Sequence, residues 1–145
     1  MSNAEAERTI AMIHDQQDAL EFVFSFVKHE RQLSTSFIKE LHSLFTKHQK
    51  TTDGREQFGN IIRIQIESGK YKTLPTNPTR PDGQLHEYCP PEHVDSEMDR
   101  LIQMHVDHMD KNVSPEIEAA WLHHRFVQIN PFTDGNGRVA LTLAT

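Results

Sequence analysis

Long apolar runs, an excess of basic residues and any second cysteine are all missing from this chain of 145 residues. No stretch approaches the roughly 18 consecutive apolar residues that a membrane-spanning helix requires, and the N-terminus lacks the basic-then-apolar order of a secretory signal. Lys and Arg number 15 against 21 Asp and Glu, a net charge of −6. A nucleic-acid-binding face, which needs a basic stripe to neutralise phosphates, is therefore not expected. Cys89 is the single cysteine and cannot close an internal disulfide, which agrees with a reducing compartment. These absences predict a soluble, cytoplasmic protein that engages neither nucleic acid nor membrane. An apolar fraction of 36% and a mean hydropathy of −0.63 still allow one modest globular domain.

What is present is mostly helical pattern. Met1 to Ala4 read as an expression scar, residues 5–33 as an N-terminal helix and residues 34–145 as the core. In the first helix Ile10, Ile13, Leu20, Phe24 and Val27 recur at helical spacing and are expected to face inward. A second helix, capped by Ser34 or Thr35, should present Phe37, Ile38, Leu41, Leu44, Phe45 and His48 on one face. A third should turn Val94, Met98, Leu101, Ile102 and Met109 inward. The fourth begins with Ser114 as its cap and Pro115 at the first helical position, where the missing N–H costs nothing. Its apolar residues, from Ile117 through Trp121 and Phe126 to Ile129, nearly circle the axis, so it should be central. Between the second and third helices Ile62, Ile64 and Ile66 alternate with Arg63, Gln65 and Glu67, the period of a half-buried strand. Asp82-Gly83 is a good turn pair. A short β-hairpin or extended flap, about residues 60–88, is expected on an otherwise α protein. The last segment, Gly137 to Thr145, starts a helix with no stop signal and is expected to belong to a truncated core.

The chemistry is concentrated in "QINPFTDGNGRVAL", Gln128 to Leu141. Gly135 and Gly137 permit positive φ, so successive N–H groups can point into one concavity. The helix that follows adds its positive end to the same place. Arg138 in the first turn of that helix breaks the preference for acids there, and a bound anion would explain it. Asp134 would repel bare phosphate but would suit a Mg²⁺ ion held against a polyphosphate. Other readings are poorer. A calcium loop counted from Asp134 would need glutamate at position 145, which is Thr. A Walker loop would need a Gly-Lys-Ser/Thr that does not follow.

"INPFTDGNGR", residues 129–138, resembles the signature of Fic-domain proteins, His-Pro-Phe-x-Asp/Glu-Gly-Asn-Gly/Lys-Arg-x-x-Arg. The likeness extends through "AAWLHHRFVQ", "CPPEHVDSEMDRL" and the hairpin, from about Ser34 to the C-terminus. It implies a mainly α, Fic-like helical bundle with a β-hairpin flap, and transfer of AMP from ATP to a protein hydroxyl. By the same resemblance Asp134 would bind Mg²⁺, Thr133, Gly135, Asn136 and Gly137 would cradle phosphates, and Arg138 would clamp them. Phe132 would anchor the turn, and the flap at about residues 60–88 would hold a target segment by backbone hydrogen bonds.

Two positions depart from that signature. Asn130 stands at the place of the histidine base. An amide can orient a hydroxyl without deprotonating it, and losing a general base removes a factor on the order of 10² to 10⁴ in rate. Leu141 stands where the second arginine would meet the terminal phosphate. Transfer is therefore expected to be impaired or altered, with a non-catalytic binder of nucleotide and peptide as the alternative. A self-inhibiting Ser/Thr-x-x-x-Glu-Gly/Asn motif is not completed at Ser36–Glu40, Thr52–Glu56 or Ser114–Glu118. His124 is expected in the core, beside Ile117 and Trp121. His105 and His108 are expected to face solvent, and Cys89 has no basic neighbour in sequence to make it a nucleophile.

Overall fold

The computed structural model describes residues 2–29, 31–55, 59–76 and 81–145. Five helices and one ribbon follow in chain order: α1 (Asn3–Lys28), α2 (Thr35–Phe45), β1 (Thr51–Arg55), β2 (Ile61–Gln65), α3 (Pro91–Asp110), α4 (Pro115–Ile129) and α5 (Asn136–Leu143). The fold is mainly α with one small antiparallel sheet. Helix α1 packs on α2, α2 on α3 and α5, and α4 on both α3 and α5. Their shared core gathers Phe37, Ile38 and Leu41 of α2, Val94, Met98 and Leu101 of α3, and Leu122, Phe126 and Ile129 of α4. Phe132, between α4 and α5, is wholly buried among them.

Helix α1 begins earlier than the sequence pattern suggested. Ser2 accepts from the Glu5 backbone N–H while the Glu5 carboxylate accepts from the Ser2 N–H, a reciprocal cap that satisfies two otherwise orphan donors. The helix also turns a different face inward. Ile10, Ile13, Leu20, Phe24 and Val27 are all exposed. Asp15, Ala19, Phe22, Val23 and Phe26 face the core instead. Alanine at 19 admits close approach, the rings of Phe22 and Phe26 stack on Phe37 at 5.1 and 4.0 Å, and the buried Asp15 carboxylate accepts from the His48 backbone N–H and ring Nδ1. Such specific partners chose between two apolar stripes that periodicity alone ranks equally. His48 accordingly lies beyond α2, in the segment that Asp15 holds.

Smaller corrections have similar causes. Met109 lies on the solvent side of α3, next to His108, which packs on α4, and Ile117 and His124 lie on the solvent side of α4 rather than in the core. Ser114 occupies the cap position of α4 without a side-chain cap bond, leaving Pro115 to start the helix. His105 and His108 are not solvent residues. They point their Nδ1 atoms at the two oxygens of buried Glu118, at 2.7 and 2.8 Å, and tie α3 to the first turns of α4.

The strand at residues 61–65 pairs upstream with Thr51–Arg55, Asp53 opposite Arg63. Its partner, "TTDGR", has no apolar alternation to reveal it. The ribbon is also less buried than the alternation implied, Ile61 and Ile62 being exposed and Ile66, just past it, buried, because among the described residues no helix packs closely behind it. Downstream, the Gln84 N–H donates to the Asp82 carboxylate and Gly83 takes φ +83°, as the turn pair anticipated. Residues 77–80 of the expected flap and Glu56 of the Thr52–Glu56 comparison lie outside the described residues. Among the described residues no helix is long and apolar enough to cross a membrane.

Candidate functional site

The α4–α5 turn is built around a histidine that the sequence reading did not single out. His42, on α2, is fully buried and stacks face to face on Phe132, centroids 3.8 Å apart and planes within 3°. The Gly69 N–H donates to its Nδ1 at 3.0 Å. That nitrogen must therefore be the acceptor, so Nε2 carries the proton and donates to the Asp134 carbonyl at 2.8 Å. Burial, which disfavours the imidazolium, holds the His42 pKa down to about 4; the bond to Asp134 opposes this and the nearby Arg138 charge adds to it. Two glycines allow close approach around the ring: a Cβ on Gly69 would sit 3.1 Å from the Lys39 carbonyl of α2, and one on Gly135 would meet Arg138 Nη2 at 3.2 Å and the His42 ring at 3.5 Å. Both take positive φ. His42 belongs to the Ile38, Leu41, Phe45 stripe of α2, and a polar residue on that inward stripe was the available signal.

Asn136 closes the turn by accepting from the Phe132 N–H at 2.9 Å and donating to the Phe132 carbonyl at 2.7 Å. Asp134 accepts from the Gly135 N–H through Oδ1 and from the Gln49 side chain through Oδ2. Arg138 reaches back to α2, donating to the Phe45 carbonyl at 3.4 Å and to Gln49 Oε1 at 2.5 Å. A cation at the carbonyl end of α2 is favourable, so the arginine has partners other than an anion. Gln49 thus bridges the acid and the arginine, a link with no sequence signal.

The open side of the turn faces a cleft of about 1000 Å³. Asn130, Thr133, Asp134, Asn136 and Gly137 line it from the turn, Thr52, Asp53, Gly54, Ile61 and Ile64 from the ribbon, and Leu74, Pro75, Thr76 and Tyr88 from the segment that follows. Of the predicted site residues, Gly135 and Arg138 lie behind this lining, against His42 and α2. A methyl group on Gly137 would meet no atom within 4 Å, so the glycine leaves open the space above the start of α5. There helix geometry leaves the Asn136, Gly137 and Arg138 N–H groups without intrahelical acceptors, the first backbone bond running from Val139 to Gly135.

Asn130 ends α4 in the left-handed conformation, φ 51°, ψ 60°, one that asparagine tolerates better than most residues. Its Nδ2 donates to Thr76 Oγ1 at 2.8 Å. Lys72, nearly buried, donates from Nζ to the same oxygen at 2.8 Å, and its backbone N–H donates to the Pro131 carbonyl at 2.8 Å. Burial lowers the Lys72 pKa, offset in part by Cys89, while burial raises that of the Cys89 thiol. Neither Lys72 nor Thr76 carried a sequence signal. Leu141 is 67% exposed on α5.

A family model described as Fic/DOC family matches residues 32–145. A Fido domain-containing protein of Dictyostelium discoideum is 41% identical over 58 residues, 39% of this chain and 41% of that protein. The crystal structure of a Fic domain-containing signaling protein from Bacteroides thetaiotaomicron is 29% identical with a TM-score of 0.77, covering 92% of this chain and 46% of that one. IbpAFic2 in complex with adenylylated Cdc42 shares the fold at 18% identity, TM-score 0.66, over 99% of this chain and 41% of that one. The chain spans less than half the length of each of these relatives.

Proposed function

The chain belongs to the Fic/DOC family, and from that premise we propose that it binds ATP with Mg²⁺ in the turn cleft and transfers AMP, at reduced rate, to a protein hydroxyl. The observation that carries the reading is the open space above Gly137 at the start of α5, in a cleft whose lining also includes Asp134. An IbpAFic2 structure holds an adenylylated partner, which is consistent with the same chemistry on this fold.

The residues present fit a magnesium ion. Mg²⁺ takes one or two protein carboxylates and completes its shell with water and phosphate oxygens, and each Asp134 oxygen keeps a lone pair beyond its single hydrogen bond. Bound there, the ion would supply neutralisation of the polyphosphate charge. The chain's own groups do the positioning. Thr133, Asn136 and Gly137 face the phosphates, Gly135 and Arg138 hold the turn from behind, and Asn130 orients the acceptor hydroxyl. A target segment would lie along the ribbon and the residues that follow it, within about 60–88, bonded by its backbone to an open sheet edge.

The non-catalytic reading has one observation in its favour: the group at position 130 is an amide donor, which cannot accept a proton near neutral pH. Calorimetric titration with ATP and Mg²⁺ tests the shared part. Binding should be lost in Gly137→Val, which obstructs the open space, and weakened in Asp134→Ala. Undiminished binding in both variants would refute the site. An AMP adduct on any protein hydroxyl after incubation with ATP then separates transferase from binder.

A further inference from the structure

The geometry points to Thr76 as an acceptor hydroxyl built into the chain: a self-modification site at which AMP is transferred to Thr76 Oγ1, with Lys72 taking its proton. The inference rests on the nucleotide-transfer reading above and names the substrate of that same site.

Thr76 Oγ1 sits 2.8 Å from Asn130 Nδ2, at the residue where an incoming hydroxyl would have to be oriented. It lines the same cleft as Asp134 and Gly137, so it shares the space in which the polyphosphate would lie. Asn130 Nδ2 donates to one lone pair of the hydroxyl; the 2.8 Å contact with Lys72 Nζ lets a charged Lys72 donate to Oγ1, and a neutral one accept the Oγ1 proton while the second lone pair stays available for attack. The segment that carries it is tied to the turn, Lys72 N–H donating to the carbonyl of Pro131, the residue beside Asn130. A threonine recruited only to satisfy a buried lysine would have no need of the Asn130 amide or of a place on the cleft wall.

Lys72 supplies what Asn130 lacks. An amine, unlike an amide or a guanidinium, has an accessible neutral form that accepts a proton; burial of Lys72 favours that form and the Cys89 thiol opposes it, with the Tyr88 ring 5.9 Å from Nζ. In the reaction the neutral Lys72 amine takes the Thr76 proton and becomes ammonium. The Oγ1–Pα bond forms as the bond from Pα to the bridging oxygen of pyrophosphate breaks, and the electron pair leaves with pyrophosphate. The Asn130 N–H stabilises negative charge as it develops on Oγ1.

The test incubates the chain with ATP and Mg²⁺, follows the intact mass, and maps any adduct by peptide fragmentation, with calorimetric ATP binding measured alongside. The expected result is the gain of one AMP group at Thr76, with a first-order rate constant independent of protein concentration. Thr76→Ser should keep the adduct and Thr76→Val should lose it. Lys72→Met should slow the reaction by a factor on the order of 10² to 10⁴ and remove the rise in rate with pH that the unmodified chain shows as Lys72 loses its proton. Lys72→Arg should not restore either. Thermal unfolding of each variant checks folding, and the pH profile of the unmodified chain tests Lys72 even where a variant fails to fold. ATP binding without an adduct, or an adduct on another residue, overturns the inference and leaves the nucleotide site standing. Absence of ATP binding overturns both. An adduct at Thr76 whose rate is flat in pH overturns the role of Lys72.

Discussion

The turn from Asn130 to Arg138 and the ribbon from Thr51 to Gln65 border one cleft and are held in opposite ways. Beyond the local Asn136–Phe132 bonds, the turn is fixed from far along the chain: His42 stacks on Phe132 and grips Asp134, and Gln49 links Asp134 to Arg138. The ribbon has two strands, no helix packed closely behind it among the described residues, and Ile61 and Ile62 in solvent. A two-stranded hairpin is marginal by itself, whereas a wholly buried aromatic carries several kcal/mol. The difference assigns the two walls different work. On the proposed reading, the turn wall that would face phosphate is pre-organised, as charge stabilisation requires, and the ribbon wall, along which a target segment would lie, is left able to adjust.

The sharpest way to break this contrast is to empty the turn's anchor. Phe132→Ala should cost about 3–5 kcal/mol, a large part of the roughly 5–15 kcal/mol that stabilises a typical domain, read as a lower urea midpoint. A turn that tolerated the change within about 1 kcal/mol would be no better anchored than an exposed site. Acid should probe the same place next. His42 is neutral when folded, with a pKa of about 4 against 6.5 for the free side chain. Between these values the unfolded chain binds the proton and the folded chain does not, so stability rises with pH there. The contribution is complete above pH 6.5 and is lost as pH falls toward 4, a change on the order of 3 kcal/mol. Urea titrations between pH 4 and 7.5 should show this slope, and His42→Gln should remove it.

The two glycines of the turn separate its structural side from its open side. Alanine at Gly135 must take φ +85° and crowd the Arg138 guanidinium, which should cost about 1–2 kcal/mol. Alanine at Gly137 meets nothing, so its unfolding midpoint should stay near that of the unmodified chain while ATP affinity falls. Equal effects of the two on stability would erase the distinction between the sides of the turn.

The same division explains what could be read from the chain. The helices were legible because periodicity and caps are local signals, and the turn because Pro-Phe, an acid and spaced glycines concentrate several constraints in ten residues. The inward face of α1 was not legible. Two apolar stripes compete there, and Asp15 with His48 and Phe37 with the Phe22 and Phe26 rings decide between them only after folding. Strand β1 stayed hidden because its sequence, Thr51 to Arg55, has no apolar residue to alternate. At the site, Asn130, Asp134 and Gly137 could be placed on the cleft from the motif. Lys72, Thr76, Gln49 and His42 could not, because their roles are set by neighbours from 4 to 92 positions away.

The smallest expected effect tests the ribbon. Ile62 is 41% exposed although it lies in the alternating stretch that suggested a buried face, and it stands outside the core cluster. Ile62→Ser should therefore shift the unfolding free energy by no more than about 0.5 kcal/mol, the ordinary range for surface changes, and should leave ATP affinity unchanged because Ile62 is absent from the cleft wall. Backbone pairing of Gly54 with Ile62 does not depend on the side chain, so a segment bound to the ribbon's edge by backbone bonds should also be retained. A loss of more than about 1 kcal/mol would place the ribbon inside the cooperative core, and both walls of the cleft would then be rigid.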